Sequence, residues 1–418
     1  MQGEIITIGD ELTSGRTLDI NAWYAAGKLT FSGLRVCRIT VVGDNYEMVS
    51  QSLKRAMEKA RFVIVTGGLG STEDDKTCQI VARALNRPLC KDSRMYDLLK
   101  SHAEARGLEV SPSLEKMAWM PDGSELISPE HGPCGFHLKE GDVDLYFLPG
   151  VPEQMRYLMD KFVIPDLLAK CKELPVVQSR VLKVFGLTEP KIAEIFKELK
   201  GKARGVIFGF YPKFPENHII LSLTDKEESR VKKELDRVEG LVEKLLGPYL
   251  FAKGEETMEQ VVGKLLKREE ITLALAESCT GGLVGHRITN LSGSSEYFQG
   301  SVVCYSNRAK KDLLGVRPQT LERYGAVSDQ TAQEMAVGVR EALKADLAVA
   351  ITGIAGPTGG SKEKPVGTVY FGLSNSKGVI SQSYRFLGSR REVKAQAATM
   401  ALDWVRRYVT NTPLLPSI

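Results

Sequence analysis

The stretch LALAESCTGG (residues 273–282) runs from alternating small apolar residues directly into three potential nucleophiles and two glycines. Residues 272–276 are apolar or small enough for a buried strand, and the residues after Gly282 continue as an amphipathic helix. Ser278 therefore lies at a strand-to-helix turn, where we expect its hydroxyl to be exposed at the carboxyl end of a sheet. The main-chain N–H groups of residues 279–282 would face an approaching carbonyl or phosphate.

This turn has two interpretations from its own residues. Ser278 or Thr280 could simply cap the helix, or Ser278 could be a nucleophile. A second strand, DLAVAITG (residues 346–353), ends in the glycine-rich loop GIAGPTGGSKEKPVGT (residues 353–368). A doubly wound sheet binds ligands outside the carboxyl ends of its strands, so both loops can face one pocket.

A serine nucleophile needs a base, and the sequence offers several candidates. His286 lies about two helical turns beyond Ser278, roughly 12 Å along the axis, so a Ser-His-Asp triad is not expected. A better base is an amine or phenol whose pKa is lowered by burial and by its neighbours. Three such residues follow the next strand: Tyr305, Lys310 and Lys311. The two lysines could equally be solvated surface residues.

Four separated motifs resemble the nicotinamide-nucleotide amidase domain across nearly all of residues 255–410. They are AESCTGGLVGHRIT (276–289), GSVVCYSNRAKKDLLGV (300–316), GAVS (325–328) and ITGIAGPTGGSKEKPVGTVYFG (351–372). The resemblance implies hydrolysis of the carboxamide of nicotinamide mononucleotide to nicotinic acid mononucleotide and ammonia, without a metal or organic cofactor. It implies Ser278 as the nucleophile, activated by Tyr305 and Lys310. The neighbouring Cys279 is the rival nucleophile, but no histidine is paired with it in the sequence. The implied substrate pocket contains Thr280, Gly281, Gly282, Ser328, Thr352 and Gly353.

Two loops carry the chemistry of the N-terminal part. GDELTSG (residues 9–15) follows the first strand, and TGGLGSTEDDKT (residues 66–77) follows the third. The spacing Thr72-x-x-Asp75 predicts a capping box that starts a helix, whose N–H groups could bind phosphate. Asp75 stands where a P-loop requires glycine before its lysine, which argues against nucleoside triphosphates.

Adjacent carboxylates in the second loop suit a hard divalent ion that bridges to phosphate oxygens. Asp74 and Asp75, together with Asp10, are the candidates. Acidic residues at helix starts are also common simply because they interact favourably with the helix dipole. Both interpretations are compatible with the sequence.

With LPGVPEQM (residues 148–155), the N-terminal half is similar to that of the CinA (competence/damage-inducible) family, which has the fold of molybdopterin-binding proteins. The resemblance implies an ADP-ribose pyrophosphatase that uses Mg, Mn or Co, joined to the amidase domain by a small KH-like module. Asp74 and Asp75 would be its metal ligands. The substrate would contact Asp10, Glu11, Asp19, Asn21, Gly67, Gly68 and Thr72.

Four features depart from the family pattern. Ser71 replaces a proline, Gln154 replaces a glutamate, and the stretches SLEKMAWMP (113–121) and SPEHGPCGF (128–136) differ from the usual sequence. The fold tolerates such changes. The implied pyrophosphatase activity is more sensitive to these changes than the fold, since a missing carboxylate can remove a base or a partner of a metal ligand.

The predicted architecture is two doubly wound α/β domains, residues 1–170 and 251–418, joined by a small α+β module at 171–250. Strands alternate with helices from the first residue, which predicts a parallel sheet with crossover helices. The middle module lacks a GxxG loop with basic neighbours, so packing or dimerisation is favoured over RNA binding. A homodimer is expected from the family resemblance.

Composition limits the remaining possibilities. The chain has 418 residues, 43% hydrophobic and 26% charged, and a net charge of +4, typical of a globular protein without a concentrated basic surface for nucleic acid. Seven scattered cysteines without a C-x-x-C pair favour reduced thiols, and no apolar run approaches the roughly 20 residues that span a bilayer. We therefore expect a cytoplasmic protein. Two other functions stay open: a scaffold in competence or recombination, and a pterin-binding N-terminal domain.

Overall fold

The computed structural model describes residues 1–127, 134–171, 175–199 and 201–416. It contains two compact units, which are described separately below. The first consists of residues 1–178 and 224–232, and the second of residues 179–223 and 233–418. The three-domain division with boundaries at residues 170 and 250 remains a prediction.

The described part of the first unit is an α/β domain. Its strands are β1 (Gln2–Ile8), β2 (Arg35–Val42), β3 (Phe62–Thr66), β4 (Leu89–Lys91), β5 (Trp119–Pro121), β6 (Glu125–Ile127), β7 (Gly135–Glu140) and β8 (Val143–Leu148). Its helices are α1 (Asp10–Thr13), α2 (Ile20–Phe31), α3 (Tyr46–Lys59), α4 (Thr77–Ala84), α5 (Ser93–Glu104), α6 (Pro112–Glu115), α7 (Pro152–Leu158) and α8 (Ile164–Ala169). Helices α7 and α8 are joined by a π-helical turn, Met159–Val163.

The main sheet of this unit has the order β2-β1-β3-β8-β7-β6. The first four strands are parallel, as predicted, but β7 and β6 are antiparallel. The antiparallel edge was not predicted, whereas the predicted parallel strands with crossover helices form the rest of the sheet. A short turn with Gly141 in the left-handed region joins β7 to β8. Such a turn suffices for antiparallel neighbours, whereas parallel neighbours need a long crossover.

The helix after the glycine-rich loop begins later than predicted. Helix α4 starts at Thr77, and its N-cap is Lys76, which makes no side-chain capping bond. Thr72 does bond to the Asp75 carboxylate, through both its N–H and its hydroxyl. That pair closes a turn ahead of the helix, so the predicted capping box at Thr72 was wrong.

The described part of the second unit contains the middle module and the C-terminal domain. Its strands are β9 (Val176–Val184), β10 (Ile207–Lys213), β11 (Glu216–Asp225), β12 (Leu250–Lys253), β13 (Leu273–Glu277), β14 (Phe298–Val303), β15 (Leu347–Gly353), β16 (Thr368–Asn375) and β17 (Gly378–Arg385). Its helices are α9 (Glu189–Phe196), α10 (Glu228–Leu246), α11 (Met258–Arg268), α12 (Leu283–Thr289), α13 (Asn307–Leu314), α14 (Pro318–Tyr324), α15 (Asp329–Ala342) and α16 (Arg390–Val409). Strands β9 and β11 and helix α10 cross the boundary between the units.

Two sheets organise these elements. The order β10-β11-β9-β12 forms the middle module, and β14-β13-β15-β16-β17 forms the C-terminal domain. In the C-terminal sheet β14, β13 and β15 are parallel, whereas β16 and β17 form an antiparallel extension. The final helix α16 begins with a capping box, in which Ser389 and Glu392 bond to each other's main-chain N–H groups.

Side-chain size alternates along the two central strands of the C-terminal sheet. In β13, Leu273 and Leu275 face the core formed with α11, α12 and α16, whereas Ala274 and Ala276 face α13 and α15. Strand β15 repeats this pattern with Leu347, Val349 and Ile351 opposite Ala348 and Ala350. The small residues let α13 and α15 pack closely against the sheet.

Two further observations concern the whole described chain. None of its helices is both long and apolar enough to cross a membrane. None of the seven cysteines, all of which lie in the described part of the chain, forms a disulfide.

Candidate active site

The alternation of β13 determines what its last residues contact. Glu277 continues the leucine face, and Ser278 continues the alanine face, on which α13 packs. The Ser278 N–H donates to the carbonyl of Ile351 at 2.9 Å, so the residue is still held in register with β15. The strand therefore delivers the hydroxyl toward α13 and not toward α12.

Lys310 of α13 meets this hydroxyl. Its Nζ lies 2.9 Å from Ser278 Oγ and donates to the Cys304 carbonyl at 2.8 Å. Lys310 is 1% exposed and Ser278 is 8% exposed. Burial lowers the pKa of the Lys310 ammonium, because removal from water penalises the charged form. The pair therefore combines a buried hydroxyl with an amine biased toward its neutral form.

The structure corrects two expectations about the turn itself. The N-cap of α12 is Gly282, with a left-handed φ of 89°, and it makes no side-chain capping bond. Ser278 and Thr280 are therefore not helix caps. The expected exposure of the Ser278 side chain was also wrong, because Lys310 and α13 cover it.

Glu277 is a site residue that sequence reasoning missed. Its carboxylate is fully buried and accepts hydrogen bonds from the N–H groups of Val284 and Gly285 at 3.1 and 2.8 Å. The hydroxyl of Ser301 donates to it at 3.0 Å. A carboxylate at a helix N-terminus satisfies otherwise unpaired N–H groups and interacts favourably with the helix dipole. Glu277 is the last residue of an otherwise apolar strand and directly precedes the serine. This position could have identified it from the sequence.

The main-chain N–H groups of the turn are only partly free. Within the described residues, no oxygen acceptor is bonded to the N–H groups of Cys279, Thr280 and Gly282. The Gly281 N–H donates to the Ser278 carbonyl at 3.1 Å. The Thr280 side chain is fully buried, and its Oγ1 is unpartnered in the same part of the chain.

Cys279 is buried beside these groups. Burial raises the pKa of its thiol to about 12, so the thiol is protonated at neutral pH. A protonated, buried thiol is a poor nucleophile. The structure therefore gives the two adjacent candidates very different environments.

Tyr305 lies farther out than its predicted role suggests. Its side chain is 61% exposed, and its hydroxyl accepts a hydrogen bond from Arg390 at 2.8 Å. The same guanidinium donates to the carbonyl of Gly356 in the glycine-rich loop at 2.8 Å. In the described part of the chain, no hydrogen bond joins the phenol to Ser278 or Lys310.

The remaining residues predicted for this pocket tie neighbouring segments together. Thr352 is buried at the end of β15, next to Gly353, and its hydroxyl donates to the Ala326 carbonyl at 2.6 Å. Ser328 is the N-cap of α15 and donates to the Gly325 carbonyl at 3.1 Å. These bonds fasten the GAVS segment to the strand end that carries the glycine-rich loop.

The first unit contains a separate cleft of about 1030 Å³. It is lined by the predicted residues Asp10, Glu11, Gly67, Gly68, Thr72, Asp74 and Asp75. Asp19 and Asn21 line a smaller cavity of about 120 Å³ that shares Glu11 and Gly67 with the cleft. The fold thus brings all nine predicted residues to two adjacent cavities with shared lining residues.

Asp44 also lines this cleft, and the sequence analysis missed it. The Asp10 N–H donates to its carboxylate at 2.9 Å, and the Asp44 N–H donates to the Asp10 carboxylate at 3.1 Å. Burial, together with the charges of Asp10, Glu11 and Asp74, raises the pKa of the Asp44 carboxyl. Asp44 follows a glycine directly after β2, just as Asp10 follows Gly9 directly after β1. This repeated Gly-Asp pair could have identified Asp44 from the sequence.

The carboxylates predicted to bind a divalent ion do not form a complete metal site by themselves. Asp75 Oδ2 already accepts two hydrogen bonds from Thr72, at 3.0 and 2.6 Å. Among the described residues, His, Cys, Asp and Glu side chains do not gather in groups of three or more that could hold a metal ion. The described side chains alone therefore do not supply a complete set of metal ligands.

Comparison with known proteins identifies the family. Residues 255–409 match the model of the CinA C-terminal domain, residues 4–169 that of a probable molybdopterin binding domain, and residues 179–252 that of the damage-inducible protein CinA KH domain. A CinA-like protein of Desulfotalea psychrophila is 39% identical over 411 residues, covering 98% of this chain and 99% of the relative. The chain belongs to the CinA family.

Other CinA relatives extend the comparison. A putative competence-damage inducible protein of Thermoanaerobacter sp. is 38% identical over 98% of both chains. A solved structure of competence/damage inducible protein CihA from Agrobacterium tumefaciens is 38% identical, covers 36% of this chain and 94% of that chain, and has a TM-score of 0.34. The predicted CinA resemblance and the mixed α/β fold class, with its KH module, are therefore confirmed.

The departures from the CinA pattern fall around the N-terminal cleft. Gln154 lines it, and Ser71 lies in the turn between Gly70 and Thr72, both of which line it as well. The segment 113–121 contributes Met117 and Met120. Of the divergent stretch 128–136, residues 128–133 lie outside the described residues.

Proposed function

We propose that the C-terminal domain is a nicotinamide-nucleotide amidase that converts nicotinamide mononucleotide and water to nicotinic acid mononucleotide and ammonia. One observation carries the proposal: a buried lysine nitrogen lies 2.9 Å from the oxygen of a serine at the end of a central strand. An amine that is neutral at working pH can accept the proton of a hydroxyl nucleophile. Family membership supports the same assignment.

In the first half-reaction Ser278 Oγ attacks the carboxamide carbon while neutral Lys310 Nζ takes the hydroxyl proton. The tetrahedral intermediate carries a negative oxygen, and the free N–H groups of Cys279 and Thr280 are the donors available near it. The Lys310 ammonium then returns its proton to the leaving nitrogen as the C–N bond breaks. Ammonia departs, and the acyl group remains as an ester on Ser278.

In the second half-reaction water attacks this ester. Lys310 takes a proton from the water and passes it to the departing serine oxygen, which restores the hydroxyl and the neutral amine. The product is released as a carboxylic acid, which gives its proton to the released ammonia in solution, so that a carboxylate and ammonium result. One buried amine therefore serves both steps, alternating between base and acid.

The geometry favours Lys310 over Tyr305 as the base. Lys310 is hydrogen-bonded to the nucleophile, whereas the Tyr305 hydroxyl is bonded to Arg390. We therefore assign Tyr305 to the rim of the pocket.

The direct test incubates the full chain with nicotinamide mononucleotide and measures ammonia. Ser278→Ala should lose nearly all release. The matched control is Ser376→Ala, in the β16–β17 turn at the opposite end of the sheet. No ammonia from the unaltered chain, or undiminished release from Ser278→Ala, would overturn the proposal.

A second activity is supported by the cleft of the first unit. We propose that this cleft binds ADP-ribose or a similar pyrophosphate and hydrolyses it, because the residues implied by the family pattern line two adjacent cavities. The assay supplies ADP-ribose with Mg, Mn or Co in turn and compares Asp10→Asn with Asp142→Asn, an exposed turn residue ahead of β8. No hydrolysis with any of the three metals would contradict it.

The same samples separate the remaining alternatives. Titration with molybdopterin tests the pterin-binding alternative for the first domain. Failure of both hydrolase assays would favour a scaffold in competence or recombination. The homodimer is also a proposal, and sedimentation of the full chain tests it.

A further inference from the structure

Lys394 places an unpaired positive charge beside the serine turn. Its Nζ lies 3.6 Å from the position that a Cβ on Gly281 would occupy. The residue is half-buried, and within the described residues its ammonium takes part in neither a hydrogen bond nor an ion pair. A partly desolvated cation without a counterion favours binding of an anion from solution.

Arg390 lies one helical turn earlier on the same face of α16. Its two hydrogen bonds go to neutral acceptors, the Tyr305 hydroxyl and the Gly356 carbonyl. In the described chain no carboxylate pairs with it. Glu392, which lies between the two cations in sequence, accepts bonds from the N–H and hydroxyl of Ser389 in a capping box. The two positive charges therefore add at one side of the turn.

Their position relative to the nucleophile limits what they can bind. Gly281 is three residues after Ser278, so Lys394 lies beside the nucleophile turn itself. Arg390 bridges the two segments that flank the turn, through Tyr305 and Gly356. An anion bound here would be one end of a molecule whose other end reaches Ser278. A phosphate monoester suits this place, because lysine binds phosphate as a point charge and arginine binds it through parallel N–H groups.

We propose that Lys394, assisted by Arg390, binds the phosphate of the substrate and selects the nucleotide over the corresponding nucleoside. This inference rests on the proposed amidase function and deepens it. The ribose-linked phosphate and the carboxamide are the two polar ends of nicotinamide mononucleotide. Fixing the phosphate orients the ring amide toward Ser278.

The test compares nicotinamide mononucleotide with nicotinamide riboside, which lacks the phosphate, on the full chain. We expect Lys394→Gln to raise KM for the mononucleotide about tenfold or more with little change in kcat, and to leave the riboside kinetics unchanged. The control is Lys377→Gln, an exposed lysine in the turn at the other end of the sheet. Equal effects on both substrates, or no effect on the mononucleotide, would overturn the inference.

A binding measurement keeps this inference separable from the proposed reaction. Calorimetry compares nicotinic acid mononucleotide with nicotinic acid riboside and needs no turnover. If the unaltered chain releases no ammonia but binds nicotinic acid mononucleotide in a Lys394-dependent way, the amidase proposal fails and the phosphate site stands. If nicotinic acid mononucleotide does not bind, or binds equally to Lys394→Gln, the phosphate site fails.

Discussion

The Nζ atom of Lys310 lies 2.9 Å from the Oγ atom of Ser278, although 32 residues separate them in the chain. Strand β13 delivers the serine toward α13, and α13 supplies the lysine. No ion pair within the described residues holds the lysine in its charged form. The pair has the geometry of a nucleophile and its base.

Replacing Lys310 with arginine should abolish proton transfer while keeping a long side chain with N–H donors. A guanidinium cannot deprotonate in a protein, so kcat for ammonia release should fall by about 10²- to 10⁴-fold. The control is Lys311→Arg at the exposed neighbouring position in α13. Circular dichroism should confirm that both variants fold. Comparable activity in the two variants would show that Lys310 is not the base.

The rate should depend on pH through the same amine. The base is active when neutral, and its neutral fraction increases as pH rises through the pKa of the folded protein. Burial lowers the pKa of Lys310 below its ordinary 10.5, so kcat/KM should rise with pH and level off below that value. Stopped assays of ammonia release across the alkaline range measure the profile. A rate that decreases as pH rises through this range would contradict the assignment.

Cys279→Ala should retain most of its ammonia release. The thiol has a pKa of about 12 and is buried, so neither its nucleophilicity nor its access to solvent suits catalysis. The substitution should reduce stability by about 1 kcal/mol, the usual size of a small core truncation. Kinetics and thermal unfolding measure the two effects. A loss of activity equal to that of Ser278→Ala would make the thiol the nucleophile.

Glu277→Ala should destabilise the first turn of helix α12. It removes the acceptor of the Val284 and Gly285 N–H groups, and leaving such buried donors unpaired costs about 1–3 kcal/mol each. Glu277→Gln keeps one acceptor oxygen and should cost less. Amide hydrogen exchange at residues 284 and 285 reports the effect locally. Unchanged protection in Glu277→Ala would show that the carboxylate does not hold the helix start.

Gly67→Ala should distort the loop of the N-terminal cleft. Gly67 has a φ of 110°, and an added Cβ would lie 2.1 Å from the Ile8 carbonyl oxygen. The matched control is Gly141→Ala, which also has positive φ, at 57°, but meets no atom within 4 Å. We expect about 1 kcal/mol of destabilisation for the control and about 3 kcal/mol for Gly67→Ala. Equal shifts in thermal unfolding would mean that crowding against β1 is unimportant.

Much of the local structure could be predicted from the chain. The serine turn and the two central strands of the C-terminal sheet follow from apolar periodicity and glycine placement. The antiparallel edge of the N-terminal sheet was missed, because strand direction depends on which strands become neighbours. The helix predicted from Thr72 was also wrong, since its capping pair stabilises an isolated turn equally well.

The sequence by itself determined the family, the α/β layout and the position of the candidate nucleophile, because motifs and periodicity are local properties of the chain. It left open whether Tyr305 or Lys310 is the base, and it gave no sign of Lys394. Only the tertiary structure brings Lys310 to Ser278 and Lys394 to the turn, through the alternation of β13 and the packing of α13 and α16. The burial that lowers the pKa of Lys310 and the position of Lys394 beside the serine turn arise only when distant segments come together.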